Sequence, residues 1–203
     1  IGEQASTASS TGDRTLAATL DGGRRVVQLQ GWLAGSGVAD GPAAARYHEG
    51  SFACLYLAPY NYHRIHMPCD AVLRATRYVP GQLFSVNAAT ARTVPDLFAR
   101  NERVVCEFDT GDGPLCLVLV GALFVGSIET VFAGEIKPPP GRGGKVRLIE
   151  AGSGRTFRRG EEIARFNMGS TVIVLTGSAV SFAPRVESGE PVRLGQMLAR
   201  FGA

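Results

Sequence analysis

A Gly-Ser-Thr step at residues 169–171 is the first place in this sequence where chemistry is expected. It stands directly before Val172–Leu175, a run of large apolar residues that predicts a buried strand. A serine hydroxyl can attack a neighbouring glycine carbonyl, because glycine places no side chain in the way. Ser170 is therefore a candidate nucleophile at the start of a rigid strand, while an ordinary turn is the alternative interpretation of the same residues.

Two of the three histidines form a second candidate site. His63 and His66 are three residues apart, and Cys69 follows three residues later. On a helical turn the two imidazoles would share a face, and with the Cys69 thiolate they could bind a metal ion. Alternatively, the imidazoles pack and hydrogen-bond, or one of them exchanges protons with an activated hydroxyl near neutral pH. The third histidine, His48, stands in a polar stretch and is expected at the surface.

Short apolar strands separated by turns must position these residues. The predicted strands are 51–57, 72–78, 103–109, 115–124, 145–151, 157–166 and 171–175, with a helical turn at 96–102. Glycine and proline mark the turns between them, and no long amphipathic helix is indicated. We therefore expect a mainly β fold, a compact barrel or sandwich of short strands with a few small helices, in one domain over residues 1–203.

A short internal repeat supports this architecture. The frame G-[EQ]-x-[IL]-A-R-F occurs at residues 160–166 and again at 195–201, and residues 80–84 carry a looser copy. Each copy predicts a glycine turn that leads into a short apolar strand. The repeat indicates architecture and no chemistry.

Composition argues against several classes of protein. The net charge of +3 over 203 residues is too small to indicate a nucleic-acid partner. No run of eighteen apolar residues occurs, so no membrane-spanning helix is predicted. The four cysteines contain no CxxC pair, and most lie in apolar strand-like runs, which predicts buried free thiols in a reducing compartment. They are Cys54, Cys69, Cys106 and Cys116.

Both candidate sites lie in blocks that resemble one family, the pyruvoyl-dependent phosphatidylserine decarboxylases of prokaryotic type. Residues 62–68 read YHRIHMP and match the YHRxHMP block of that family. Residues 168–171 read MGST and match its (L/M)GST cleavage motif. Further matching blocks occur in family order at 78–87, 98–103, 120–122 and 125–130. The resemblance is nearly continuous from Gln30 to Leu175.

The resemblance implies a decarboxylase that processes itself. Ser170 would attack the Gly169 carbonyl, cut the chain there into portions 1–169 and 170–203, and become a pyruvoyl group. That group would form a Schiff base with phosphatidylserine and accept electrons while CO2 leaves, giving phosphatidylethanolamine. In the family pattern His66 matches the histidine of an Asp-His-Ser relay that activates the serine. His63 matches a second histidine, expected near the substrate.

The family also implies partners and a location. We expect phosphatidylserine as substrate, a peripheral position on the cytoplasmic face of the cell membrane, and a heterodimer of the two cleaved portions that dimerises further. The relay aspartate and the membrane-associating segment of the family are expected before Ile1. Ala71 stands where the family usually has glycine, which predicts strain only if the backbone there has a positive φ.

Two other interpretations of the sequence stay open. The first is a non-catalytic metal-binding β domain that uses the histidines and Cys69. The second is a carrier-like barrel of the biotinyl or lipoyl type, which needs a lysine at an exposed hairpin tip. Lys137 and Lys145 are the two lysines of the chain, and neither lies in the repeat.

Overall fold

The computed structural model describes residues 15–16, 45–47, 50–86, 90, 93–123, 127–137, 144–167, 169–184 and 191–202. Regular structure in these ranges is mostly strand, so the predicted mainly β class is confirmed. His48 lies outside the described residues. The elements are β1 (Thr15–Leu16), β2 (Phe52–Leu57), β3 (Arg64–His66), β4 (Ala71–Val79), α1 (Leu97–Arg100), β5 (Arg103–Thr110), β6 (Gly113–Val120) and β7 (Ile128–Thr130). They continue with β8 (Gly134–Ile136), β9 (Arg147–Ala151), β10 (Thr156–Phe157), β11 (Glu162–Phe166), β12 (Ser170–Thr176), β13 (Val180–Phe182) and β14 (Ala199–Phe201).

These strands form three antiparallel sheets. The largest has seven strands in the order β10-β4-β5-β6-β12-β2, with β9 paired to β4. A four-stranded sheet has the order β3-β11-β7-β8, and a three-stranded sheet has the order β1-β14-β13. Over the ranges described, no sheet closes into a barrel, so the predicted barrel is not observed.

The core lies on the central strands of the large sheet. All seven residues of β12 are buried, and β5 and β6 contribute further fully buried Val, Leu and Phe side chains. Each such side chain contributes about 1.5–3 kcal/mol relative to its exposed state. The run Val172–Leu175 therefore anchors β12 firmly, as its β-branched composition predicts.

The β5–β6 hairpin was predicted and is confirmed. Thr110 pairs with Gly113 across the turn, and the ladder continues to Arg103 opposite Val120. Gly113 has a φ of 111°, which suits glycine at this turn. β6 ends at Val120, four residues before the end of the predicted run, which was 115–124.

The internal repeat marks real turns in two of its three copies. Gly160 and Gly195 have φ values of 83° and 84°, and β11 and β14 follow them. The turn at Gly160 also divides the single strand predicted at 157–166 into β10 and β11. The third copy is different, because Gln82 forms one isolated bridge with Asn101 instead of a strand.

Local backbone geometry settles the question raised by Ala71. Among the non-glycine residues that the structure describes, Asp96 alone has a positive φ, so Ala71 is unstrained at the start of β4. All four cysteines are free, as predicted, but the predicted burial holds for Cys106 and Cys116 only, because Cys54 and Cys69 are partly exposed. Within the described ranges, no helix combines the length and the apolar character that a bilayer span requires.

Candidate functional site

Ser170 is the first residue of β12 and is completely buried, with 0% of its surface exposed. It pairs with Leu57 at the end of β2, and its neighbour Thr171 pairs with Val120 at the end of β6. The Ser170 hydroxyl donates a hydrogen bond to the backbone carbonyl of Val120. The candidate nucleophile is therefore held in one orientation between two strands, away from solvent.

Gly169 is packed against the backbone that follows β2. A Cβ atom added at Gly169 would lie 2.7 Å from the Leu57 carbonyl oxygen and 2.8 Å from the Pro59 nitrogen. Carbon atoms do not approach backbone atoms so closely, so glycine is the residue that fits here. The peptide bond between Gly169 and Ser170 is thus held against the backbone of one strand, while the serine hydroxyl is held by another.

The segment between β2 and β3 brings the histidines to the same region. It begins next to Leu57, which pairs with Ser170, and it reaches His63, whose carbonyl accepts a hydrogen bond from the Phe166 amide at 3.0 Å. His66 pairs with Glu162, which lies four residues further from Gly169 than Phe166 does. Four strand residues span roughly 13 Å, so His63 lies level with the chain just before Gly169 and His66 lies further along it.

Two hydrogen bonds fix the His66 ring. Nδ1 lies 2.8 Å from the Gly160 carbonyl oxygen, and Nε2 lies 2.8 Å from the Tyr62 hydroxyl. A carbonyl only accepts, so Nδ1 must carry a proton, and in the neutral imidazole Nε2 is left with the lone pair. The Tyr62 hydroxyl then donates to Nε2, and its ring stacks on the imidazole with an interplanar angle of 18°. Nε2 is therefore the basic nitrogen of His66.

His63 has a different environment. Its Nε2 is buried and has no hydrogen-bond partner among the residues described. Burial lowers the pKa of His63, because the charged imidazolium loses hydration. The imidazole is therefore neutral at pH 7, and its buried Nε2 is not hydrogen-bonded to any of the described residues.

The metal interpretation finds no support in this geometry. His66 ends β3 (Arg64–His66) and His63 stands directly before that strand, so the two residues are not on the helical turn that the sequence hypothesis required. Burial raises the pKa of the Cys69 thiol to about 12, which disfavours the thiolate that a metal site needs. The described ranges contain no group of three or more His, Cys, Asp or Glu side chains placed to hold a metal ion.

The structure brings some of the candidate residues together and leaves others apart. Gly169 and Ser170 meet the backbone of Leu57 and Val120. His66 has both ring nitrogens bonded to groups other than Ser170. The roles of Ser170, His63 and His66 stay predictions.

Sequence reasoning missed the Val120 carbonyl and the Tyr62 hydroxyl. Both residues lie inside blocks that match the family, but a backbone acceptor on another strand leaves no trace in side-chain types. Tyr62 stands four residues before His66, a spacing that signals contact on a helix and none on an extended chain.

Comparisons with known proteins agree on one family. A family model described as phosphatidylserine decarboxylase matches residues 17–200. The chain is 54% identical over 162 residues to a phosphatidylserine decarboxylase proenzyme of Yersinia pestis (strain Pestoides F). It is equally similar to the protein of that name from Yersinia pseudotuberculosis serotype O:1b (strain IP 31758). Each match covers 77% of this chain and 55% of the relative, so the chain spans about half the length of these curated relatives.

Proposed function

The chain belongs to the phosphatidylserine decarboxylase family, and we propose that it cleaves itself and then converts phosphatidylserine to phosphatidylethanolamine. The observation that carries the proposal is the arrangement at the Gly169–Ser170 bond. A buried serine hydroxyl is held beside a glycine that fits only without a side chain. The curated relatives bear the name proenzyme, which supports an activating cleavage.

The first step is the cut between Gly169 and Ser170. Ser170 Oγ attacks the Gly169 carbonyl carbon and its proton passes to a base. The C–N bond then breaks as the Ser170 nitrogen takes up a proton, so an ester replaces the peptide bond. Loss of the Ser170 Cα proton and cleavage of the Cβ–Oγ bond then release Gly169 as a carboxylate. Cβ of the resulting dehydroalanine takes up a proton, and addition of water to Cα with loss of ammonia leaves a methyl ketone at residue 170. The Val120 carbonyl orients the hydroxyl in this step but cannot take its proton, so a separate base is required.

We assign the base to His66 and a place near the substrate to His63. His66 has a free-base nitrogen, Nε2, whose lone pair is set by the Gly160 carbonyl on the other side of the ring. For it to act, the Tyr62 hydroxyl must leave Nε2. His63 lies closer than His66 to the Gly169–Ser170 bond along β11, and its neutral, partly buried imidazole suits a group that exchanges a proton with a bound amino acid.

A pyruvoyl group derived from Ser170 fits the position. It keeps Cα and Cβ of the serine and loses the hydroxyl oxygen, so it needs no more room than the completely buried side chain has. When present, it supplies an electron-accepting carbonyl for the loss of CO2 from an amino acid. β12 would hold it in place, because that strand is paired along its length with β2 and β6.

The lipid substrate and the membrane location belong to the same proposal. The segments that follow Leu57 and Val120 each lead within three residues to an exposed apolar side chain. Tyr60 is 78% exposed and Leu123 is 56% exposed. Tyrosine and leucine suit the interface of a bilayer, where an aromatic ring meets head groups and an aliphatic chain meets acyl chains. The four free cysteines suit the reducing, cytoplasmic side of the membrane, which is where we place the protein.

A decarboxylation assay tests the function. The full-length protein is mixed with phosphatidylserine in detergent micelles, and phosphatidylethanolamine is measured over time. We expect product with the wild type and none with Ser170→Ala, which keeps the fold but has no hydroxyl. Equal product from both proteins, or none from a wild type that has cleaved itself, would contradict the proposal.

A further inference from the structure

Asn101 follows α1 and is completely buried, with 0% of its surface exposed. Its Nδ2 donates to the carbonyl of Gly121 at 2.8 Å and to that of Phe84 at 2.9 Å. Its Oδ1 accepts the amide of Phe84 at 3.0 Å. Both side-chain protons and the side-chain oxygen are thus used, and they join three separate parts of the chain.

Gly121 links this side chain to the candidate nucleophile. The Gly121 amide donates to the Glu102 carbonyl at 2.8 Å, while the Gly121 carbonyl accepts from Asn101. The Gly121 amide and the Val120 carbonyl belong to one planar peptide group, so fixing the first also fixes the direction of the second. That Val120 carbonyl accepts the hydroxyl of Ser170.

The packing around Gly121 leaves this peptide little freedom. A Cβ at Gly121 would lie 2.7 Å from Glu102 Cγ and 3.1 Å from the Glu102 carbonyl oxygen. The backbone at Gly121 is therefore in close contact with Glu102, which directly precedes β5, and the amide and carbonyl of Gly121 are both hydrogen-bonded. Asn101 thus holds the peptide group that follows Gly121, while Glu102, the next residue after Asn101, holds the peptide group that carries the Val120 carbonyl.

We propose that Asn101 is a positioning residue for self-cleavage, because it holds Gly121 and through it the Val120 carbonyl that orients the Ser170 hydroxyl. The inference rests on the proposed function, since it gives a role in the cut between Gly169 and Ser170. Asparagine suits the role because it offers two donors and one acceptor on a short stem. Aspartate would face the carbonyls of Gly121 and Phe84 with no donor, and alanine would leave both unpaired.

A structural role alone would act differently from a positioning role. A merely destabilised protein would cleave at nearly the wild-type rate at any temperature well below its unfolding transition. A positioning residue sets the geometry of the attacking oxygen, so its loss slows the cut even in a fully folded protein. The cleavage rate of an Asn101 variant must therefore be compared with that of a variant that is destabilised to a similar degree by a change far from Ser170.

Leu73→Ala provides that control. Leu73 is buried in β4 and pairs with Phe108 of β5. Phe108 lies near one end of the β5–β6 ladder, and Val120 lies at the other end. Loss of such a buried side chain destabilises a fold to a degree comparable with the loss of several buried hydrogen bonds. Asn101→Ala and Leu73→Ala are made in the full-length precursor. The precursor is pulse-labelled during synthesis, and the rate at which the uncleaved chain disappears is measured.

We expect Asn101→Ala to cleave about tenfold more slowly than wild type, and Leu73→Ala to cleave at close to the wild-type rate. Hydroxylamine cuts an ester once it has formed, so it should not restore the rate of Asn101→Ala if ester formation is the slowed step. Equal rates for the two variants, or full rescue by hydroxylamine, would overturn the positioning role. A wild-type precursor that stays uncleaved would instead overturn the proposed function and this role with it.

Discussion

The Ser170 hydroxyl donates a hydrogen bond to the backbone carbonyl of Val120, which lies fifty residues earlier in the chain. The candidate nucleophile is thus oriented by a neighbouring strand, in a place from which solvent is excluded. A carbonyl holds the hydroxyl but leaves its proton in place, so this arrangement can position the serine before a base acts. The predictions below follow from how the chain on each side of the Gly169–Ser170 bond is held.

Gly169→Ala tests the packing on the glycine side of the bond. The new methyl group would lie within 3 Å of the backbone at Leu57 and Pro59, so β2 and β12 must shift apart. We expect slower self-cleavage and a lower melting temperature, measured by mass spectrometry and thermal unfolding. Gly111→Ala is the matched control, because a Cβ at Gly111 meets no atom within 4 Å. Equal behaviour of the two variants would mean that the contact at Gly169 does not constrain the bond.

The protonation of His66 can be read directly by nuclear magnetic resonance. The Gly160 carbonyl requires a proton on Nδ1, so the ring ¹⁵N shifts of the neutral form should report the Nδ1–H tautomer. Tyr62→Phe removes the donor to Nε2 and should move the Nε2 shift while the tautomer stays the same. Tyr60→Phe, at a far more exposed ring, should change neither. An Nε2–H tautomer in the wild-type protein would contradict the hydrogen-bond pattern.

His63 makes stability depend on pH. Burial lowers its pKa, so below about pH 6.5 the unfolded chain binds a proton that the folded chain does not. Stability therefore falls as the pH falls from 7 through 6.5 toward the folded pKa of this group. His63→Gln should lose less melting temperature between pH 7.5 and pH 5.5 than wild type does. An identical loss in both proteins would show that His63 titrates normally.

The two portions of a cleaved chain should stay together. β12 begins at the cut and is hydrogen-bonded to β2 on one side and β6 on the other, and β14 pairs with β1. The smaller portion therefore keeps most of its contacts after one peptide bond is lost. We expect the two portions to co-elute in native size-exclusion chromatography and to separate in denaturant. Separation without denaturant would contradict this interlocked arrangement.

Local patterns in the sequence predicted the strands well where apolar residues dominated a short run. The apolar runs gave β2, β4, β5, β6 and β12 with boundaries shifted by a few residues. The 157–166 prediction failed because Gly160 turns the chain; the internal repeat indicated this turn, whereas apolar spacing does not register it. The order of strands, and the contacts of Ser170 and Asn101 with distant backbone groups, depend on long-range pairing. They were therefore beyond any argument from neighbouring residues.

His63 and His66 also show that residue spacing alone does not determine where side chains lie. Their spacing suggested a shared face, but that inference assumed a helical turn, and the chain there is extended. Their environments differ because one ring meets Gly160 and Tyr62, while the other has a buried nitrogen that meets no hydrogen-bond partner in the part of the chain that the structure describes. The resemblance to a family supplied their proposed roles, which the residue types alone left open.

Intact-mass spectrometry of the purified full-length protein tests the central claim most directly. We predict a break between Gly169 and Ser170, with the smaller portion about 17 Da lighter than a chain that begins with serine, the mass of the ammonia lost. Its N-terminus should be blocked to Edman degradation, and Ser170→Ala should remain a single uncut chain. An intact wild-type chain, or a cut that leaves an unmodified serine at position 170, would contradict the account.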